Sequence, residues 1–297
     1  MKDRQLGRVR FINGENKGRY PFCHSVYIAG EKERIIIDPA SSLDKLKLLQ
    51  QNEGVDTVWL SHSHEDHFAF LYLFENCPVR VPMRDYPPLS DLNIFLDWYG
   101  VEEGSNRESW REMMLNQFRY APINNANFFR DGEIVDCGSV TVEVIATPGH
   151  TPGHLSFFFP EEKILFLGDY DLTSFGPWYG DVYSDIDETI KSVRRLQKIP
   201  ADIWITSHEK GFFEENPGEF WHNYENIIYE RDNKVMEYLK QPRTLEEILA
   251  AWLIYGRARE PLFFYEFGER SLVTKHLQRL EKQNRIILDK NKYVMIK

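Results

Sequence analysis

Thr57-Val58-Trp59-Leu60-Ser61-His62-Ser63-His64-Glu65-Asp66-His67 is the stretch on which the reading of this chain turns. Its first four residues form a short apolar run, the pattern of a buried strand. The run ends in four side chains able to bind metals, His62, His64, Asp66 and His67, within six residues. Side chains alternate along a strand, so His62 and His64 point the same way. The turn that follows then brings Asp66 and His67 round from another side. Imidazole nitrogen and carboxylate oxygen suit zinc, iron or manganese. A tetrahedral catalytic ion keeps a position open for water, so four ligands this close exceed what one ion needs. The cluster therefore points to two ions. Three of the nine histidines fall in these six residues, which argues against an incidental polar turn.

Two ions need more ligands, and three candidates follow, each after a strand-like run. His150 sits in Ala146-Thr147-Pro148-Gly149-His150-Thr151-Pro152-Gly153-His154. Asp169 closes Phe166-Leu167-Gly168-Asp169, and His208 closes Ile205-Thr206-Ser207-His208. Strand ends are places where a rigid scaffold offers side chains to a shared site. Gly149 and Gly168 allow sharp turns or close backbone approach.

The succession His-x-His-x-Asp-His, Thr-Pro-Gly-His-Thr-Pro-Gly-His, Gly-Asp and a late His resembles the metallo-β-lactamase superfamily. The similarity covers roughly residues 6 to 215 and includes Ile35-Ile36-Ile37-Asp38, which resembles the family's early Asp-bearing strand. The resemblance implies an α+β fold, an αββα sandwich with a dinuclear site between the sheet edges. It implies that His62, His64 and His150 hold one metal, that Asp66, His67 and His208 hold the other, and that Asp169 bridges them. Zinc is the leading ion, with iron and manganese as alternatives. A water shared by two dications loses a proton near neutral pH, and the ions polarise the substrate's carbonyl or phosphoryl oxygen. Asp66 and Asp169 are thus the expected catalytic residues, Asp66 orienting the bridging hydroxide.

Six further residues are candidates for supporting or substrate roles. His154 follows His150 by four and could bond a ligand or substrate. His24 precedes a strand near the early aspartate. Tyr170 and Asp171 follow the bridging position, and Trp178 would narrow the entrance. Asp38 is expected to be a buried hydrogen-bonding residue that shapes the ligand loop. His222 and His276 read as ordinary.

The rest of the chain fits a hydrolase with an appendage. It has 297 residues, 42% hydrophobic and 14% aromatic, enough for a sizeable core and unlike a disordered or fibrous chain. No stretch of 18 uncharged apolar residues occurs, so no membrane span is expected. The N-terminus lacks the apolar run of a secretory signal, and Cys23, Cys77 and Cys137 are too few and scattered for a disulfide framework. A cytoplasmic location is expected. Residues 1–217 read as the catalytic domain. Strands are expected at Leu6–Ile12, Ser25–Ala29, Arg34–Ile37, Val140–Ala146, Leu155–Phe159, Ile164–Leu167 and Ile203–Thr206. Residues 84–130, rich in aromatics with helix-like stretches near 89–98 and 107–119, read as a helical lid supplying an apolar pocket.

Residues 218–297 read as a C-terminal domain with helices near 218–240, 244–255 and 269–283, then a hairpin, winged-helix-like in order. Arg243 to Lys297 carries 11 basic and 7 acidic residues, net +4, which leaves −14 elsewhere because the whole chain is −10. This tail resembles the subgroup that includes the β-lactamase-like protein 2 endoribonucleases, beside the glyoxalase II-like thioesterases. The basic residues Lys275, Arg279 and Lys282 read as a solvated helix face. The expected activity is hydrolysis of a small ester, thioester or lactone. Apolar walls favour an acyl group, and acidic surroundings disfavour RNA, which needs phosphate-binding cations. A phosphodiesterase or endoribonuclease with the same site is the alternative. A ligand-sensing DNA- or partner-binding protein is the non-enzymatic one. The expected partner is a small-molecule substrate, and the tail is expected to make homodimer contacts or buttress the lid.

Overall fold

A computed structural model describes residues 2–296. Runs of β-branched and aromatic residues bounded by turn residues become strands. The first sheet contains β1 (Arg4–Leu6), β2 (Val9–Ile12), β3 (Ser25–Ala29), β4 (Arg34–Ile37), β5 (Thr57–Trp59), β6 (Val79–Pro82) and β7 (Ala126–Phe129), side by side in that order. β1 to β4 pair antiparallel and β4 to β7 pair parallel. Parallel pairing requires crossovers, which carry helices here. These are α1 (Leu43–Asn52), α2 (Glu65–Phe68), and between β6 and β7 the trio α3 (Tyr86–Ser90), α4 (Leu92–Trp98) and α5 (Ser105–Asn116).

The second sheet contains β8 (Ile134–Asp136), β9 (Thr141–Ala146), β10 (Leu155–Phe159), β11 (Ile164–Phe166), β12 (Ile203–Ile205) and β13 (Phe212–Phe213), ordered β13-β12-β11-β10-β9-β8. β11 and β12 run parallel, joined through α6 (Ile186–Leu196). The chain ends with α7 (Glu219–Tyr238), α8 (Leu245–Ala250), α9 (Leu262–Lys282) and the hairpin β14 (Ile286–Asp289) and β15 (Lys292–Met295).

The two sheets face each other. Val26, Ile28, Ile35, Ile37 and Trp59 of the first pack against Val142, Val144, Phe157, Phe159 and Phe166 of the second. Alternation sends Tyr27, Ile36 and Val58 to the opposite face, where α1 and the lid helices cover them. In the same way Phe158 and Leu165 meet Val193 and Leu196 of α6 and Trp221 and Tyr224 of α7. Both sheets are thus apolar on both faces, as a helix–sheet–sheet–helix layering demands. A further core, with Val235, Leu239, Ile248, Val273 and Leu277, lies within the C-terminal elements.

The structure adjusts several expectations. Leu6–Ile12 is a hairpin rather than one strand, turning at Gly7-Arg8. The 84–130 segment ends in β7, an edge strand of the first sheet, so its last residues belong to the sandwich. α9 begins at Leu262, just after Pro261, seven residues before the expected start, and its first turns set Phe267 against Tyr99 and Trp110 of the lid. The solvated basic face is corrected: of its three residues only Lys282 is exposed, while Lys275 and Arg279 turn inward onto the segment around Val182–Asp187. Among the described residues no helix is long and apolar enough to cross a membrane. The three cysteines are free thiols.

Candidate metal centre

Each candidate ligand follows the end of a strand. His62 and His64 follow β5, His150 follows β9, Asp169 follows β11 and His208 follows β12. Two glycines let these turns close. Gly149 has φ +130°, and a Cβ there would stand 2.3 Å from the backbone nitrogen of Thr189. Gly168 has φ +61°, and a Cβ there would stand 2.4 Å from His154 Nε2.

The hydrogen bonds of the five rings fix which nitrogen faces inward. Ser61 Oγ donates to Asp38 Oδ2 at 2.6 Å, so it accepts from His62 Nδ1 at 2.9 Å. His64 Nε2 donates to Asp181 Oδ2 at 2.6 Å, and His150 Nδ1 donates to the Trp178 carbonyl at 3.0 Å. His67 Nδ1 donates to Asp38 Oδ2 at 2.9 Å, and His208 Nδ1 to the carbonyls of Gly18 and Phe22. Every ring spends one N–H on an outer partner and turns the other nitrogen's lone pair inward. His150 Nε2 lies 2.9 Å from His64 Nδ1 and 3.2 Å from His62 Nε2. Lone pairs this close repel unless a cation lies among them.

Asp169 stands between two such groups. Its Oδ2 lies 3.3 Å from His150 Nε2, 3.8 Å from His62 Nε2 and 3.4 Å from His208 Nε2, while Oδ1 lies 3.0 Å from His67 Nε2. Asp66 reaches to 3.9 Å from His67 Nε2 and 3.7 Å from His208 Nε2. His62, His64, His150 and Asp169 thus offer four ligand atoms within 4.8 Å of one another, and so do Asp66, His67 and His208 for three. His67 Nε2 and Asp169 Oδ1 are buried without a hydrogen-bonding partner. This donor set suits a divalent ion of the zinc, iron or manganese kind.

Electrostatics agree. Burial holds His62 well below the usual histidine range and brings His150 to about 4, so both rings are neutral and keep their lone pairs. Burial opposes charge on His67 and His208 too. There the carboxylates outweigh it, Asp169 and Asp38 raising His67 and Asp169 and Asp171 raising His208 to about 10. The acidic side chains therefore favour positive charge at this spot, and a metal binding there displaces protons.

The other sequence candidates take up places around this cluster. Asp38 is fully buried and accepts from Ser61 N and Oγ and from His67. His154 donates from Nδ1 to Thr147 Oγ1 at 2.8 Å and accepts the backbone N–H of Asp169 on Nε2 at 3.1 Å. Asp171 accepts the backbone N–H of His208 at 2.8 Å and joins Asp169 and His208 in a third ligand-spaced group. Trp178 acts through its carbonyl on His150, and its Nε1 donates to Asp181. Tyr170 is fully buried, its hydroxyl given to the carbonyls of Thr147 and Pro148. His24 lies between Gly18 and Gly211, accepting from Gly14 N, behind the turn of His208.

Sequence reasoning missed Asp181, Ser61, Glu65 and Asp85. Ser61 stood next to the motif and could have been found. Asp181 reaches His64 across 117 positions with no local pattern to mark it. Glu65 is buried inside the motif and accepts from the hydroxyls of Tyr20 and Tyr99. Asp85, pushed up to about 6 by burial, pins the loop after His150 through Thr151 Oγ1 and Gly153 N. Tyr99 also sets its ring edge-to-face on His64, centroids 5.5 Å apart. Phe267 of α9 meets Tyr99, Trp110 and Trp178, so an aromatic wall drawn from three distant segments borders the site.

The family model described as the metallo-beta-lactamase superfamily matches residues 19–208. The chain belongs to the metallo-beta-lactamase superfamily. A solved metallo-beta-lactamase family protein from Thermus thermophilus superposes over 98% of this chain and 99% of its own at TM-score 0.73 and 20% identity, a likeness of fold. Two curated superfamily relatives have named activities. An atrochrysone carboxyl ACP thioesterase from Aspergillus fumigatus is 25% identical over 210 residues, 68% of this chain and 56% of that protein. A hydroxyacylglutathione hydrolase from Francisella philomiragia is 35% identical over 178 residues, 58% of this chain and 57% of that one. The match thus spans less than three-fifths of either relative's length.

Proposed function

We propose that this metallo-beta-lactamase superfamily hydrolase is dinuclear and acts on a small thioester, ester or lactone. The observation that carries the reading is the inward convergence of five imidazole lone pairs on the carboxylates of Asp66 and Asp169. We assign His62, His64 and His150 to one cation, Asp66, His67 and His208 to the other, and Asp169 to both, with zinc the leading ion. When bound, such ions supply Lewis acidity and a water that loses its proton near neutral pH. The chain's own part is to hold the donors. Asp38, Asp181 and the Trp178 carbonyl lock the rings, and His154 fixes the backbone that presents Asp169. Asp66, which faces His67 and His208 at 3.9 and 3.7 Å, is the carboxylate we assign to hold a proton of the attacking water. Tyr99, Trp110, Trp178 and Phe267 exclude water and offer an apolar surface to an acyl group.

The named thioester hydrolases among the relatives support this substrate class. We place the catalytic unit at residues 1–217 with the lid at 84–130, and a C-terminal unit at 218–297. The separate core around Val235, Ile248 and Leu277 supports that division, although the first half of α7 packs on the second sheet. We read the C-terminal unit as winged-helix-like on the order α8, α9, β14, β15 and the bridge of Arg243 to Tyr293. Its Lys275 and Arg279 are engaged within the protein, which disfavours a nucleic-acid role.

The test is to purify the chain without added metal, quantify zinc, iron and manganese, and assay that sample on a thioester, a lactone and a single-stranded RNA. About two ions per chain with thioester or lactone turnover is the expected result. RNA cleavage without acyl hydrolysis would overturn it.

A further inference from the structure

The segment from Phe175 to Ser184 supplies no candidate ligand, yet it touches two of the candidate imidazoles. Asp181, 2% exposed, takes the Nε2–H of His64 at 2.6 Å. The Trp178 carbonyl takes the Nδ1–H of His150 at 3.0 Å, and Trp178 Nε1 donates to the second oxygen of Asp181 at 3.1 Å. Ser184 Oγ donates to the carbonyl of His150 at 2.5 Å. The segment contains no strand or helix, so its own backbone ladder does not hold it in place.

Two cations from the C-terminal helices do. Lys275 of α9 is 8% exposed and donates to the carbonyls of Val182 at 2.7 Å and Ser184 at 2.8 Å. Arg231 of α7, 3% exposed, donates to the carbonyls of Phe175 at 2.6 Å and Pro177 at 3.0 Å, and to the Tyr179 hydroxyl at 2.8 Å. Removing a cation from water is costly unless hydrogen bonds replace its hydration. Here four of the replacements are carbonyls of this one segment. Both cations lie beyond residues 19–208, the part matched by the family model.

We propose that Asp181 is a positioning residue that fixes His64 with Nδ1 toward the metal site, and that Lys275 and Arg231 brace the segment carrying it. The C-terminal helices thereby set how tightly the His62–His64–His150 group holds its cation. This inference rests on the metallohydrolase reading. A carboxylate on the far N–H of an imidazole ligand fixes its tautomer and raises its basicity, and losing such a partner costs roughly 10- to 100-fold in metal affinity.

The experiment titrates zinc against a chromophoric chelator in wild type, Asp181→Ala, Asp181→Asn and Lys275→Met, with thermal melts and nitrogen–proton correlation spectra of the histidine rings. In Asp181→Ala one zinc dissociation constant is expected to rise roughly 10- to 100-fold while the other stays within about threefold. The Nε2–H signature of His64 should be lost with it. Asp181→Asn keeps one acceptor oxygen for the His64 Nε2–H but loses the charge and turns its amide toward Trp178 Nε1, so it should recover the signature and only part of the affinity. Lys275→Met should weaken the same ion by a smaller factor. Two unchanged constants in Asp181→Ala, or an equal rise in both with a lowered melting point, would overturn the proposal. A wild-type chain that binds no zinc, iron or manganese would instead sink the metallohydrolase reading, and this inference with it.

Discussion

Asp38 Oδ2 accepts the Nδ1–H of His67 at 2.9 Å, and the same oxygen accepts the hydroxyl of Ser61, which in turn orients His62. One buried carboxylate therefore steers a ring in each half of the cluster. Asp38→Asn keeps an acceptor for Ser61 N but can set an amide N–H against two donors. We expect zinc affinity to fall by roughly 10- to 100-fold with the fold retained. Asp38→Ala leaves three buried donors unpaired and should cost about 3 kcal/mol or more of stability. Chelator competition and urea unfolding check both, and wild-type zinc affinity in Asp38→Asn would contradict this account.

Asp66 and Asp169 carry the chemistry in the proposed function. Asp169 lies within 4 Å of nitrogens of four candidate histidines, so Asp169→Ala should abolish turnover and loosen both ions. Asp66→Asn preserves shape but removes a charge. It should lower kcat by about 10²- to 10³-fold in metal-loaded protein. Full activity in either metal-loaded variant, measured on a thioester, would show that these carboxylates have other roles.

The candidate ligands that the structure brings together were legible because their signals are local. His62 to His67 lie in one turn, and His150, Asp169 and His208 each close a strand-like run. The sheets were legible for the same reason, since β3, β4, β9 and β10 read directly from apolar runs. What escaped depends on distant partners. Asp181 is one acid among 46 acidic residues until folding brings it to His64. Lys275 and Arg279 look like a solvated stripe because helical periodicity cannot show that a loop will cover it. Val79–Pro82 was missed because a four-residue strand ending in proline resembles a loop.

The aromatic wall makes a claim about substrate. Phe267 is half-buried and meets Tyr99, Trp110 and Trp178 with centroids 5.1 to 6.4 Å away. Truncation to alanine removes apolar contact worth about 1.5 kcal/mol, or roughly tenfold in binding. Phe267→Ala should therefore raise KM for an apolar acyl thioester about tenfold, with kcat and metal content little changed. A kcat loss at constant KM would place the wall outside the substrate's path.

His276 offers a test of how the C-terminal helices are fastened. Its Nδ1 donates to Asp232 at 2.7 Å, and its Nε2 accepts from Tyr179 at 2.8 Å. Arg231 and Arg279 stand on the same two partners, Arg231 on Tyr179 and Arg279 on Asp232. Burial lowers the affinity of His276 for a proton, the Asp232 carboxylate raises it and both arginines lower it, with burial prevailing, so the ring holds a proton less readily than a free histidine and is neutral at pH 7. An unfolded histidine takes up its proton near pH 6.5. Below that pH the unfolded state binds more protons than the folded one, so folding stability falls as pH drops through about 6.5 toward the lower folded value. Above it this group contributes no pH dependence. His276→Asn removes the titration, and acid effects of all other groups are common to both proteins. Between pH 7 and pH 5 the wild type should lose a few degrees more of melting temperature than the variant, about 1.4 kcal/mol per pH unit at most. A wild type that loses less melting temperature than the variant would show that His276 is charged in the fold and that the junction is held by an ion pair, and parallel curves would show a ring whose proton affinity folding leaves unchanged.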